Sequence, residues 1–283
     1  MNLRGKKCLI TGAAGGIGAA LARRFAAEGA SALGIADLDL DAAGRLAARL
    51  VLAHPQLEAR AYQVDVTRAD DLVQLARDAE RDFGDIDLLC SNAGIFQANG
   101  AAAPAAAWEM SWAANVMSNV HLTNAVLPRM LQRGAGYIMI TCSGAGLLAN
   151  MDAPYMVTKH AAVAHAEWLA IQYRLRGIGV SALCPLGVRT SMLTRMRDLA
   201  PDVVAGVLAG GDLLEPQQVA QSVVEGLAAE NFLILPLASV AERMLLKARS
   251  RDEWIASMQR QYGLVNNTGH APSHPEPRRI QDP

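Results

Sequence analysis

Lys7-Cys8-Leu9-Ile10-Thr11-Gly12-Ala13-Ala14-Gly15-Gly16-Ile17-Gly18 decides the fold. Lys7–Thr11 is an apolar run of strand length, a glycine-rich turn follows, and helical periodicity starts at Gly16 and continues to Glu28. Strand, tight turn and helix form the opening unit of a parallel sheet, which needs a crossover between each pair of strands. The alternation continues outward. Further strands are predicted at Ala32–Ala36, Ala59–Val64, Leu88–Ser91, Tyr137–Thr141, Val180–Cys184 and Phe232–Leu235. Between them, helices are predicted at Asp41–Leu52, Ala69–Phe83, Ala105–Arg133, Pro154–Arg176 and Pro216–Ala229, with one more from Ser239 to Gln261. Near-continuous apolar strands suit a sheet buried on both faces, and right-handed crossovers place helices on both sides. The expected fold is a single-domain, Rossmann-type, doubly wound α/β unit with about seven parallel strands.

Glycines in the turn let the backbone approach a ligand, and the helix N-terminus offers N–H groups and a positive dipole end suited to a pyrophosphate. Asp37 ends the second strand at the distance beyond Gly18 where an acid can hydrogen-bond an adenosine ribose. That pairing points to a dinucleotide. A carboxylate there repels a 2′-phosphate, and neither Leu38 nor Ala13 and Ala14 supplies a compensating cation, so NAD is expected rather than NADP.

Composition narrows the class. The 283 residues carry 26 Lys plus Arg against 27 Asp plus Glu, a net charge of −1, which gives no footprint for nucleic acid or an anionic membrane surface. With 52% hydrophobic residues there is material for a large core. No stretch approaches the roughly 20 apolar residues of a membrane span, and the first strand begins too early for a signal peptide. The four cysteines, Cys8, Cys90, Cys142 and Cys184, lack metal-ligand spacing, and His121, His160 and His165 add none, so neither a metal nor a disulfide is expected. Cytoplasm is the expected compartment.

Further motifs follow in order: Asp65-Val66 after the third strand, Asn92-Ala93-Gly94 after the fourth, Asn115 in the long helix, Ser143 after the fifth strand, and Tyr155-Met156-Val157-Thr158-Lys159. With the glycine turn, these resemble the short-chain dehydrogenase/reductase family over residues 5–236. Any one of them is weak evidence; their order and placement carry the resemblance. Tyr155 and Lys159 stand at i and i+4, so their side chains leave one helix face. An ordinary tyrosine, with a pKa of about 10, is a poor base at neutral pH, and a nearby ammonium and a positive nicotinamide favour the phenolate. Tyr155 can then remove an alcohol proton while hydride leaves the carbon, with Ser143 holding the substrate oxygen.

The resemblance implies a catalytic set of Asn115, Ser143, Tyr155 and Lys159, with Lys159 also on the nicotinamide ribose and Asn115 anchoring a proton-conducting water. It implies cofactor contacts from Gly12, Ala14, Gly15, Gly16, Ile17 and Gly18, from Asp37 and Leu38, and from Asp65 and Val66. Asn92, Ala93 and Gly94, then Pro185, Val188 and Thr190, together with Tyr155 and Lys159, complete it. Two departures stand out. Leu186 follows Pro185 where the family has glycine, and the Ser143-to-Tyr155 spacing is one residue short of the family's usual one.

Residues 189–212 are expected to form a substrate lid, with Met192, Leu193, Met196, Leu199, Val203 and Val204 as an apolar stripe. Leu147, Leu148 and Met151, with Ile95 and Phe96, extend it to a pocket for a hydrophobic secondary alcohol or ketone. Arg195 and Arg197 are read as solvated lid residues. The family resemblance implies a homodimer or homotetramer through the long helices. Residues 1–262 are thus expected to be the NAD-binding dehydrogenase unit, and proline-containing 263–283 a flexible tail. The expected activity is hydride transfer between NAD and a secondary alcohol, as an alcohol dehydrogenase or ketoreductase. The alternatives are a 3-oxoacyl thioester reductase, which would call for NADPH and a basic surface, and a non-catalytic NAD-binding sensor or scaffold.

Overall fold

The computed structural model describes residues 1–97, 102–149, 152–199, 204 and 213–262, so the expected tail, most of the distal lid and Met151 lie outside the described residues. The strands are β1 (Lys7–Thr11), β2 (Ala32–Asp37), β3 (Glu58–Gln63), β4 (Leu88–Ser91), β5 (Gly136–Thr141), β6 (Ile178–Leu183) and β7 (Leu233–Ile234). They form one seven-stranded sheet in the order β3-β2-β1-β4-β5-β6-β7, every pair parallel. The helices are α1 (Gly16–Ala27), α2 (Leu40–Ala53), α3 (Ala69–Phe83), α4 (Ala105–Trp112), α5 (Ser118–Arg133) and α6 (Ala153–Tyr173). α7 (Ser191–Leu199), α8 (Pro216–Ala228), α9 (Ser239–Arg249) and α10 (Arg251–Gln261) follow.

Alternation along each strand sorts two cores, because successive side chains point to opposite faces. Cys8 and Ile10 of β1 pack with Tyr137 and Met139 of β5 under α1, α2 and α8. Their neighbours Leu9, Ile138 and Ile140 pack on the other side under α3, α5 and α6. The expected doubly wound architecture is therefore present, and all four cysteines are free and buried.

Some boundaries differ from the sequence reading. β7 keeps only Leu233 and Ile234 as strand, although the Phe232 and Ile234 carbonyls accept from Ala182 and Cys184 of the neighbouring chain segment. The helix expected over Ala105–Arg133 contains a π-turn at Ala113–Met117. The helix expected over Ser239–Gln261 is two, broken where Ser250 turns extended and its side chain accepts from the Glu253 N–H. That break folds α10 back so that its last residue, Gln261, and the following Tyr262 return to the carboxyl edge of the sheet.

Candidate active site

The strand order reverses between β1 and β4, and a cavity of about 580 Å³ opens beyond their carboxyl ends, where ligands of open α/β sheets bind. Asn92 ties the seam: its N–H donates to Thr11 Oγ1 (3.0 Å) and its Nδ2 to the Thr11 and Gly12 carbonyls (3.0 and 3.2 Å). Its Oδ1 accepts from Thr141 Oγ1 of β5 (3.0 Å), so one side chain joins three strand ends.

Gly12 holds φ +63°, a left-handed conformation that glycine adopts readily. α1 starts with Gly15 as N-cap and no side-chain cap, leaving its first N–H groups directed at the cavity without an internal acceptor from a cap. Asp37 lies across this turn. Its Oδ2 accepts from the Ala14 N–H (2.9 Å) and its Oδ1 from the Asp39 N–H (3.2 Å), which fixes the carboxylate at the cavity wall.

On the other flank, Asp152 caps α6 by accepting from the Tyr155 N–H (3.0 Å), and Pro154 favours the first helical turn. Tyr155 therefore stands at the helix start, edge-on to Phe96 with ring centroids 5.4 Å apart. Burial pushes its phenol above the ordinary tyrosine value, and a hydrogen bond with Ser143 acts in the opposite direction. Lys159 Nζ sits 5.8 Å from the Tyr155 ring centroid and donates to the Thr141 carbonyl (3.0 Å). Burial pushes this ammonium below the ordinary lysine value. Desolvation of the phenol outweighs the help from Ser143.

Asn115 occupies the π-turn and is fully buried. Its Oδ1 accepts from the Ile95 N–H (2.9 Å), and its Nδ2 donates to the Ile95 carbonyl and to Thr158 Oγ1 (both 3.1 Å). It locks the turn after β4 to α6, and a Cβ on Gly94 would lie 2.9 Å from its Oδ1 and 3.1 Å from Lys159 Nζ. Thr190 closes the far wall, its hydroxyl accepting from the Leu193 N–H (3.4 Å) at the start of α7.

The structure brings most of the expected residues to one cavity: Gly12, Ala14, Gly15, Gly16, Ile17 and Asp37; Asn92, Ala93 and Gly94; Ser143, Tyr155 and Lys159; and Pro185, Val188 and Thr190. Asn115, Gly18, Leu38, Asp65 and Val66 are not among the described lining residues. Asn115 works from behind. Gly18 packs on the strand, since a Cβ there would lie 2.1 Å from the Gly12 carbonyl oxygen. Leu38 is exposed, and the Asp65 carboxylate accepts from Thr67 N–H (2.9 Å) and Oγ1 (2.7 Å), which holds its pKa below the ordinary aspartate value.

Leu148, Met192, Leu193 and Met196 also line the cavity, and Leu193, Met196 and Val204 pack together with Phe96 beside them. Leu186 lies under the C-terminal helices among Leu148, Val240 and Trp254, so the departure from glycine fills space rather than opening it. Arg195 lines the cavity as well, exposed, whereas Arg197 does not appear among the described lining residues. Arg243, Gln261 and Tyr262 also line the cavity and were missed from sequence. Nothing local marks them: Arg243 is one charged residue along α9, and Gln261 and Tyr262 reach the site only through the turn at Ser250.

The short chain dehydrogenase family model matches residues 6–200. The chain is 33% identical over 260 residues to 1-deoxy-11-beta-hydroxypentalenate dehydrogenase of Streptomyces exfoliatus, covering 90% of each. A short-chain dehydrogenase/reductase of Burkholderia phymatum in complex with NAD superposes with a TM-score of 0.78 at 28% identity, covering 89% of this chain and 96% of that one. A Sphingobium yanoikuyae short-chain dehydrogenase in complex with NADPH gives 0.76 at 28%, covering 89% and 95%. Fold, cavity and relatives agree: the chain belongs to the short chain dehydrogenase family, oxidoreductases acting on hydroxyl and keto groups.

Proposed function

We propose that this oxidoreductase is an NAD-dependent dehydrogenase interconverting a hydrophobic secondary alcohol and its ketone. The observation that carries the reading is that Ser143 and Tyr155 stand together on the wall of a cavity whose opposite end is the glycine turn with Asp37. The residues present fit a dinucleotide. The uncapped N-terminus of α1 suits the pyrophosphate, Asp37 the adenosine ribose, and Val188, Thr190 and Lys159 the nicotinamide end. When bound, NAD supplies the hydride acceptor and a positively charged ring.

Ser143 donates to the substrate oxygen and fixes it against Tyr155. Tyr155 takes the hydroxyl proton in oxidation and returns it in reduction. Lys159, within 5.8 Å of the phenol ring centroid, favours the phenolate over the neutral form. Asn115 keeps Lys159 and the turn at Gly94 in register and, by family likeness, holds the water that leads protons outward. Asp37 favours NAD over NADP by repelling a 2′-phosphate. Apolar Leu148, Leu186, Met192, Leu193 and Met196 support a hydrophobic substrate body. Residues 1–262 act as the dehydrogenase unit, with 189–212 as lid.

The test is reduction of NAD⁺ and NADP⁺ across a panel of secondary alcohols. Tyr155→Phe is expected to lower kcat by about 10²–10⁴-fold with an unchanged circular dichroism spectrum. Asp37→Ser is expected to move the kcat/KM ratio toward NADP⁺. Wild-type rates from Tyr155→Phe would overturn the mechanism, and an unmoved cofactor ratio would overturn the role of Asp37.

A further inference from the structure

The charges around the cavity are segregated. Among the described lining residues the acids are Asp37 and Asp39, both at the ribose end; of the cations, Lys159 stands beside Tyr155, Arg195 is exposed on α7, and Arg243 sits at the end bounded by Leu148, Ala149 and Leu186. Arg243 is half-buried on α9, its guanidinium 5.6 Å from the Trp254 ring centroid. Its Nη2 donates to Met258 Sδ (3.6 Å) and Gln261 Oε1 (2.5 Å). No described residue forms an ion pair with it, and no described residue accepts from its Nε or Nη1. Loss of hydration without a counter-charge disfavours the cation, in keeping with burial pushing its pKa below the ordinary arginine value.

The group is also held in place. One helical turn further on, Lys247 donates to the Leu147 and Leu148 carbonyls (2.6 and 2.8 Å), and its Nζ lies 3.1 Å from His160 Nε2. These bonds tie α9 to the loop after Ser143 and to the residue following Lys159. Tyr262 closes the same wall, its hydroxyl 3.4 Å from the Ala149 carbonyl. A fixed guanidinium with unused donors in an apolar wall suits a carboxylate, which accepts its parallel N–H groups in a bidentate pair.

We propose that Arg243 anchors a substrate carboxylate, so that the substrate class is an apolar hydroxy acid and its oxo acid rather than a neutral alcohol. This rests on the dehydrogenase reading and narrows it. The hydroxyl-bearing carbon faces Ser143 and Tyr155, the apolar body spans Leu148 and Leu186, and the acid group meets the guanidinium.

The test compares straight-chain and alicyclic hydroxy acids with their methyl esters, reading kcat/KM with NAD⁺ for each matched pair. The wild type is expected to favour the acid by about 10- to 100-fold, mostly through KM. In Arg243→Gln the acid-to-ester ratio falls toward one, and Arg243→Lys restores part of it. If Arg243 only supports the packing of α9 on α10, acid and ester lose activity together and the ratio stays, which overturns the proposal. A wild type indifferent to acid or ester overturns it as well. If no panel member is oxidised in a Tyr155-dependent way, the dehydrogenase reading is at fault. Calorimetric binding of the same acids and esters to the NADH-loaded protein then decides separately: tighter acid binding lost in Arg243→Gln supports the anchor, and equal binding removes it.

Discussion

Ser143 and Tyr155 together make a pH-sensitive pair whose direction follows from their surroundings. Burial raises the phenol, so its base form arises only as the solution turns alkaline, and the Ser143 hydrogen bond lowers it. Alcohol oxidation is therefore expected to gain with pH up an acid limb, and ketone reduction to decline at alkaline pH. Ser143→Ala removes the lowering contribution, so the oxidation limb should move to higher pH besides falling in height. A pH–kcat/KM profile of the two proteins checks this, and a limb that stays in place would separate Ser143 from the titration. The residues of this pair were legible because Tyr155 and Lys159 keep helical spacing and Ser143 follows a recognisable strand. The direction of the tyrosine shift was not. It depends on how completely the folded chain takes the phenol out of water, which local spacing does not show.

At the scale of elements, the first strand and helix are held by the contact between Gly18 and Gly12. A methyl group on Gly18 would lie 2.1 Å from a backbone oxygen that cannot swing aside, so Gly18→Ala is expected to cost about 1–3 kcal/mol and lower Tm by about 2–12 °C. Gly44, inside α2, has nothing within 4 Å of a built Cβ, and Gly44→Ala should instead stabilise by about 0.5–1 kcal/mol. Thermal melts followed by circular dichroism test both signs at once. The strands of the sheet were readable because each core strand is an apolar run. Helix periodicity read well along α3, which buries Leu72, Leu75, Ala76 and Ala79. The break at Ser250 was missed although Ser250 and Glu253 stand at capping spacing, because apolar periodicity continues across it on both sides. The π-turn around Asn115 leaves no such mark in the chain, since it changes only which carbonyls the backbone N–H groups reach.

For the whole molecule, apolar side chains remain outside the two cores. Trp168, Ile171 and Leu175 are 51%, 71% and 99% exposed and follow one another at helical spacing along α6 and the turn after it. We expect this face to be covered by a second copy. Light scattering should give a dimer or tetramer, and Ile171→Glu should shift the distribution toward smaller species. A wild-type mass equal to one chain would remove the assignment. The distribution of the cleft along the chain has a different consequence. Its floor needs β1 beside β4, clamped by Asn92, and its far wall needs Arg243 and Tyr262 from the last two helices. A nascent or partly unfolded chain therefore owns no fraction of the binding site. Occupancy weighs on the global equilibrium by mass action, about 2.7 kcal/mol at a ligand level of 100 Kd, rather than on any one segment. Release of the ligand and loss of the native state become linked events, and starvation for cofactor would shorten the lifetime of the protein as well as slow its turnover.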